Sequence, residues 1–211
     1  MIVFLLDPAH GKETPGKRSP NGWVKEYQYS RLFISELKEE LQKQNLTAQI
    51  PITKQTEIGL LARAKLYNEI PSEEKKFVVS IHLNAAGDGT EWKNAQGFEI
   101  WTSRGHTKSD DFATEIFNQI QTDFPETKMR AGTWDPKEKQ TDPDKESNFT
   151  ILMGANYYAV LIELAFMDNE EDFKKIINPI WRAKMIQSIT KACVKIAENN
   201  RKTSHEKQNN Y

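Results

Sequence analysis

The sequence predicts a single α/β domain whose sheet is mostly parallel, and two observations support this fold class. Segments with the apolar character of strands alternate along the chain with segments whose apolar residues recur at helical spacing, a pattern typical of parallel sheets with helices packed on them. The length of 211 residues suits one domain. We therefore expect one domain over residues 1–199, followed by a tail.

Five short apolar runs are predicted to be strands. The first covers 2–7, and the second, 47–53, is weakened by Pro51, which lacks the N–H that a sheet ladder needs. The other three cover 77–81, 97–101 and 158–164. The last of them is very apolar, so we expect it to lie in the centre of the sheet.

Four segments carry apolar residues at helical spacing, and we predict helices over 30–44, 57–69, 109–122 and 179–198. The third of these helices has acidic residues in its first turn, where they interact favourably with the helix dipole. Residues 200–211 are polar and have no apolar period, so we expect them to form a disordered tail.

The charge balance gives no support to a nucleic-acid partner or an anionic membrane partner, because 29 basic residues face 30 acidic ones for a net charge of -1. No apolar stretch approaches the roughly 20 residues that span a bilayer. No secretory signal is visible, so removal of a leader and export by another route both stay open. The one cysteine, Cys193, excludes an internal disulfide and lies on an apolar helical stripe, which predicts a core position.

Two histidines directly follow predicted strands, His10 after the first strand and His82 after the third. Ligands in open α/β sheets bind beyond the carboxyl ends of strands, so we expect the two imidazoles to meet at one edge, in an arrangement that suits a metal. Catalytic zinc normally has three protein ligands and one open position. The acidic candidates for the third ligand are Asp7, Glu13 and Glu26. Of these, Glu26 is a fair choice because it lies near the start of the first helix. A helix that starts after a strand-exit loop lies on the same edge of the sheet as His10.

A carboxylate interrupts the most apolar strand. Glu163 lies within Leu161-Ile162-Glu163-Leu164, where a buried carboxylate is costly unless it is paired or functional. At the mouth of the sheet it could act as a general acid and base, with a pKa raised by burial. The alternative is a buried ion pair with an arginine such as Arg63. The position of Glu163 favours the functional interpretation.

The segment 124–148 interrupts the alternation of strands and helices. It contains three prolines, many charges and Trp134. Loops longer than about 12–15 residues are usually functional or disordered. A surface insertion and a substrate-facing loop with Trp134 as a contact are both consistent with this composition.

The motifs occur in a fixed order along the chain: Asp7-Pro8-Ala9-His10-Gly11, Glu26, Ser80-Ile81-His82-Leu83-Asn84-Ala85 and Leu161-Ile162-Glu163-Leu164-Ala165-Phe166-Met167-Asp168-Asn169, with smaller matches at Thr53-Lys54, Arg63 and Asn68. In this order and spacing they resemble the zinc-dependent N-acetylmuramoyl-L-alanine amidases of the Amidase_3 family. The resemblance extends over about the whole chain.

The resemblance implies that His10, Glu26 and His82 bind zinc and that Glu163 is the catalytic glutamate. It implies a twisted, mostly parallel sheet of about six strands with helices on both faces. The implied activity is hydrolysis of the amide between N-acetylmuramic acid and L-alanine. Peptidoglycan or muropeptides are then the partners, and the cell envelope or periplasm is the site of action.

Three residues depart from the family pattern. Ala9 replaces a glycine before the histidine, which asks more of that turn's backbone. Lys54 replaces an arginine and Ala165 a glycine, and no ligand is lost. The loop 11–22 is similar to that of phage-type lytic amidases. Two other function classes stay open: another zinc peptidase or deacetylase acting on cell-wall material, and a peptidoglycan-binding module without catalysis.

Overall fold

The computed structural model describes residues 1–132, 134–135 and 140–208, which form a six-stranded sheet and a separate two-stranded hairpin. In chain order the strands are β1 Ile2–Pro8, β2 Thr47–Gln49, β3 Lys75–Asn84, β4 Glu99–Thr102, β5 Trp134–Asp135, β6 Gln140–Thr141, β7 Lys145–Glu146 and β8 Tyr158–Phe166. The main sheet has the order β2-β1-β3-β8-β4-β7, and its neighbours are parallel except β4 with β8. The mostly parallel sheet is confirmed, and β8 lies in its interior as predicted.

Helices cover both faces of the sheet, as expected. In the described part of the chain they are α1 Glu26–Lys43, α2 Leu60–Glu69, α3 Lys108–Asp123, α4 Glu170–Ile176 and α5 Pro179–Gln208, with a 3-10 helix at Thr150–Leu152. The larger apolar cluster joins one face of the sheet to α1, α3 and α5. The smaller cluster joins the other face to α2 and the 3-10 helix. No helix among the described residues is long and apolar enough to cross a membrane.

Strand alternation decides which face carries polar groups. In β3, Val79 and Ile81 belong to the larger cluster and Val78 to the smaller one. Ser80 and His82 share the side of Val78, because successive strand residues point to opposite faces. The polar end of β3 therefore lies on the face that α2 and the 3-10 helix cover.

Several element boundaries differ from the prediction. β2 ends at Gln49 rather than Thr53, because Pro51 cannot donate to the ladder. α2 begins at Leu60, since the carboxylate of Glu57 is engaged as the acceptor of the Gly11 N–H. α4 is missing from the predicted elements, although its N-terminal cap and acidic first turn are visible in the sequence.

The last helix is longer than predicted. α5 continues past Glu198 to Gln208, so the tail expected over 200–211 is helical as far as residue 208. Residues 209–211 lie outside the described part of the chain. Long unbranched side chains such as Arg201 and Lys202 lose little freedom in a helix, which extends it without an apolar period. Cys193 in this helix is buried and free, as predicted.

The segment 124–148 forms part of the sheet edge. Its strand β7 pairs in parallel with β4, and β5 and β6 form the antiparallel hairpin. The side chain of Trp134 lies outside the described residues, so its role as a substrate contact stays a prediction.

Candidate metal centre

The structure brings His10, Glu26 and His82 together at the carboxyl edge of the sheet. His10 follows β1, Glu26 is the first residue of α1 and His82 lies near the end of β3. His82 Nδ1 lies 3.0 Å from Glu26 Oε1, and His10 Nε2 lies 3.6 Å from Glu26 Oε2. One possible ligand atom of each residue lies within 4.8 Å of the other two. This arrangement can hold a metal ion.

The other two acidic candidates are engaged elsewhere. Asp7 is buried, and its carboxylate accepts hydrogen bonds from three side chains: Arg63 at 2.7 Å, Tyr67 at 2.8 Å and Ser80 at 2.5 Å. Glu13 accepts a backbone N–H from the segment before α2 at 2.9 Å. Both carboxylates therefore stabilise loops and strands around the site instead of joining the histidines.

Helix α1 fixes the turn that carries His10. The backbone of His10 has φ 43°, in the left-handed region that is uncommon for residues other than glycine. Arg31 donates to the carbonyl of Ala9 at 3.2 Å and to that of His10 at 2.9 Å. Ser30 Oγ donates to the carbonyl of Ala9 at 3.3 Å. The unfavourable backbone conformation expected at Ala9 therefore occurs at His10, and these hydrogen bonds stabilise it.

Backbone contacts position Glu26. Its N–H donates to the carbonyl of Lys17 at 3.1 Å, and an antiparallel bridge between Arg18 and Lys25 closes the preceding loop. Glu26 Oε1 also accepts the N–H of Leu83 at 3.2 Å. The side chain is thus tied both to its own loop and to the end of β3.

The donor set fits zinc. Glu26 is only 1% exposed, and its Oε2 has no hydrogen-bond partner among the described residues. A buried carboxylate oxygen without a donor is costly, and a cation held by the two imidazoles satisfies it. Two imidazole nitrogens and one carboxylate oxygen are ligands typical of catalytic zinc, which keeps a fourth position open.

Burial and charge shift the pKa values of all three residues. Burial lowers the pKa of His10 to about 4, so its imidazole is neutral and can coordinate. Burial also lowers the pKa of His82, but the hydrogen bond and charge of Glu26 outweigh burial and raise it. For Glu26, burial raises the pKa, while the hydrogen bond and charge of His82 hold it below its ordinary value. Glu26 is therefore ionised, as a ligand must be.

Glu163 lies beside this group on β8. Its Cα is the register partner of His82 on one side and of Glu99 on the other. Burial raises the pKa of Glu163 to about 7, and its Oε2 is buried without a hydrogen-bond partner among the described residues. Pairing with Arg63 is wrong as an explanation, because Arg63 donates to Asp7 and pairs with Glu57. A carboxyl in this state can take up and release a proton near neutral pH.

A cavity of about 400 Å³ opens in front of these residues. His10, His82 and Glu163 form part of its lining. Leu60 at the start of α2 and Phe149 before the 3-10 helix add apolar side chains to the lining. The cavity can therefore bind a ligand that has both polar and apolar parts next to the metal ligands.

The structure adds one charged residue to the predicted set. Burial and the charges of the site residues are the larger causes of the pKa shifts of His10, Glu26 and Glu163. The positive charge of Lys17 is a smaller cause and lowers all three pKa values. A single lysine in a loop gives no sequence pattern that identifies it. Trp23, which could line the groove or pack at the helix start, is 77% exposed and has its ring centroid 6.4 Å from that of Phe173.

Comparisons with known proteins identify the family of the chain. The family model described as N-acetylmuramoyl-L-alanine amidase, Amidase_3, matches residues 4–195. A comparison with curated proteins finds no match. Among solved structures, the chain is similar to an N-acetylmuramoyl-L-alanine amidase from Clostridium difficile 630, with 26% identity, a TM-score of 0.77 and coverage of 93% of this chain and 97% of that one.

Two more distant structures share the fold. The CwlD amidase from Clostridioides difficile, solved in complex with the GerS lipoprotein, has 18% identity, a TM-score of 0.76 and coverage of 93% of this chain and 98% of that chain. The catalytic domain of the CD27L endolysin that targets Clostridia difficile has 18% identity, a TM-score of 0.66 and coverage of 92% of this chain and 97% of that chain. The similarity in each case extends over nearly the whole domain.

Proposed function

Since the chain belongs to the Amidase_3 family of N-acetylmuramoyl-L-alanine amidases, we propose that it is a zinc-dependent enzyme that hydrolyses the amide between N-acetylmuramic acid and L-alanine in peptidoglycan. The observation that carries the proposal is the position of Glu163 next to the group of His10, Glu26 and His82, with a buried Oε2 that has no hydrogen-bond partner among the described residues. Residues 1–199 form the catalytic domain in this proposal, and the cell envelope is where the enzyme acts.

His10, Glu26 and His82 would hold the zinc. When bound, zinc supplies a Lewis acid that polarises the scissile carbonyl and makes water more acidic. The protein contributes a neutral imidazole at His10 and an ionised carboxylate at Glu26, for the reasons of burial and pairing given above. The loop and β3 contacts of Glu26 keep the ligand set rigid.

Glu163 would move the proton. As a carboxylate it takes a proton from the attacking water, and as a carboxylic acid it returns that proton to the departing amine of L-alanine. A pKa of about 7 makes both forms accessible near neutral pH. Leu60 and Phe149 offer apolar contacts to a substrate bound in the cavity.

The test is digestion of purified peptidoglycan with mass analysis of the products, with and without a chelator. We expect intact stem peptides with a free L-alanine amine, and loss of their release after chelation. Release of single amino acids would indicate a peptidase, and release of acetate a deacetylase. Peptidoglycan binding with neither zinc nor products would indicate a binding module and contradict the proposal.

Variants separate the roles within the site. Glu163→Gln should retain one zinc per chain and lose turnover by about 10²–10⁴-fold, the usual contribution of general acid–base catalysis. Glu171→Gln is the matched control, because that glutamate is exposed and pairs with Lys174 on α4. His10→Ala should lose both zinc and activity. Full turnover by Glu163→Gln would remove Glu163 from the mechanism.

A further inference from the structure

A pair of cations binds the carboxylate of Glu99, which lies one strand beyond Glu163. The Cα register places Glu163 on β8 between His82 on β3 and Glu99 on β4, so the three side chains share one face of the sheet. Antiparallel partners have Cα atoms about 4.5–5.5 Å apart. Arg130 and Lys145 both form ion pairs with Glu99 Oε1, the lysine at 2.8 Å. The cations therefore bind the carboxylate that is the register neighbour of the proposed proton carrier.

The charges of this group do not balance. Two cations share one carboxylate, and the other oxygen of Glu99 already accepts Asn84 Nδ2 at 3.0 Å and Trp101 Nε1 at 3.2 Å. The nearby carboxylate of Glu146 accepts the N–H of a loop glycine. Among the described residues, Glu99 is the only carboxylate that pairs with Arg130 or Lys145, which leaves one excess positive charge.

Both cations are held in place and remain accessible. The guanidinium carbon of Arg130 lies 5.2 Å from the ring centroid of Phe166, and Lys145 Nζ lies 5.1 Å from that of Trp101. Their side chains are nevertheless 30% and 23% exposed. Such contacts with aromatic faces restrict long side chains before a ligand arrives, which reduces the entropy lost on binding.

Aromatic contacts connect the pair to the cavity. Trp101, over which Lys145 lies, has its ring centroid 5.3 Å from that of Phe149, and Phe149 lines the cavity. These rings mark a direction, across β8 towards β4, in which a ligand that extends from the cavity would approach the cations. The chemistry that neutralises them best is a carboxylate, because guanidinium and ammonium groups form charge-assisted hydrogen bonds with it.

We propose that Arg130 and Lys145 bind a free carboxylate of the stem peptide, on the side of the leaving amine. This inference rests on the proposed function. The step from β8 to β4 followed by one ion pair spans about 8 Å, and two extended residues reach about 7 Å. Where the second residue of the stem peptide carries a free α-carboxylate, that group lies within this reach.

The test compares three synthetic muramoyl tripeptides with the zinc-loaded full chain. One has both carboxylates free, one has the α-carboxylate of the second residue amidated, and one has the C-terminal carboxylate amidated. We expect amidation of the second residue to lower kcat/KM by about tenfold or more, mainly through KM, as for a lost hydrogen bond between charged groups. If amidation of the C-terminal carboxylate lowers kcat/KM instead, the two cations bind that carboxylate and not the one of the second residue.

The variants show whether the cations cause the preference. Arg130→Gln and Lys145→Gln should cleave acid and amide substrates with nearly equal kcat/KM, while Arg130→Lys keeps most of the preference. Lys108→Gln is the control, because that lysine is exposed on α3 and pairs with Asp111. Zinc content and thermal melting verify that each variant is folded.

The possible failures can be told apart. If no tripeptide or peptidoglycan is cleaved, the proposed function fails. If wild type cleaves all three substrates equally well, or if both glutamine variants keep the wild-type preference, the carboxylate site is wrong while the amidase activity stands. If Arg130→Gln melts far below wild type, the substrate preferences of Lys145→Gln and Arg130→Lys decide whether the carboxylate site is right.

Discussion

Replacing Arg63 with methionine tests how strongly the end of β1 depends on a buried ion pair. The carboxylate of Asp7 is 1% exposed and the side chain of Arg63 is 5% exposed. Arg63 Nη1 donates to Asp7 at 2.7 Å and also to the carbonyl of Pro8, two residues before His10. Methionine occupies a similar volume but leaves Asp7 with only the hydroxyls of Tyr67 and Ser80 as donors.

The expected loss of stability is large. Removing one partner of a buried ion pair costs about 3–5 kcal/mol, because the other charge stays buried and unpaired. A domain of this size loses about 2–4 °C in Tm per kcal/mol, so Tm should fall by about 6–20 °C. Zinc should also bind more weakly, because the turn that presents His10 loses a hydrogen bond at Pro8.

Urea unfolding and a double-mutant cycle provide the assay. Asp7→Asn combined with Arg63→Met removes the charge together with its partner, and an amide at position 7 can still bond with the two hydroxyls. The double variant should therefore be more stable than the sum of the single losses predicts, by about 1–3 kcal/mol. Arg182→Met is the control, since its ion pair with Glu36 is more exposed and should contribute at most about 1 kcal/mol.

Two results would refute this reasoning. The first is an unfolding free energy for Arg63→Met within about 1 kcal/mol of wild type, since a buried unpaired charge costs more than that. The second is strict additivity in the cycle, because it would mean that Asp7 and Arg63 do not depend on each other.

Three further predictions concern groups outside the site. Burial raises the pKa of Asp123, but hydrogen bonds from Ser188 and its neighbours outweigh it and lower the pKa to about 2. Wild type should thus lose stability relative to Asp123→Asn as the pH falls from about 4 to about 2, and equal slopes in acid unfolding would contradict this. Burial raises the pKa of Asp144 to about 8, so stability should fall as the pH rises from about 4 towards 8. The melting temperature of Asp144→Asn should depend less on pH over that range. The same pH dependence as wild type would count against a buried neutral carboxyl. Burial also raises the pKa of Cys193, so a thiol reagent should label it only as fast as the chain unfolds, and rapid labelling of the native protein would disprove its burial.

Local patterns in the sequence predict most of the elements. Apolar runs predict β1, β3, β4 and β8, and helical spacing predicts α1, α2, α3 and α5, because both periodicities reflect which side of an element faces the core. The patterns fail at α4, whose capping signal is short, and at the end of α5, where propensity extends the helix beyond its apolar stripe. Strand β7 is also missed, because it is short and lies at the sheet edge.

The sequence by itself determined that two histidines lie at the ends of strands and that a glutamate interrupts the most apolar strand. It left three acidic candidates for the third ligand. The tertiary structure decided among them, because Asp7 is bound by Arg63, Tyr67 and Ser80, whereas Glu26 alone approaches both histidines.

Only the tertiary structure could also bring Arg130 and Lys145 to Glu99, the register neighbour of Glu163. The order and register of the strands decide which residues become neighbours, and they result from the packing of the whole sheet. Periodicity along the chain records the face on which a side chain lies. Periodicity does not indicate which side chain of a distant strand becomes the neighbour of a given residue. The arrangement of the candidate site depends on those distant neighbours.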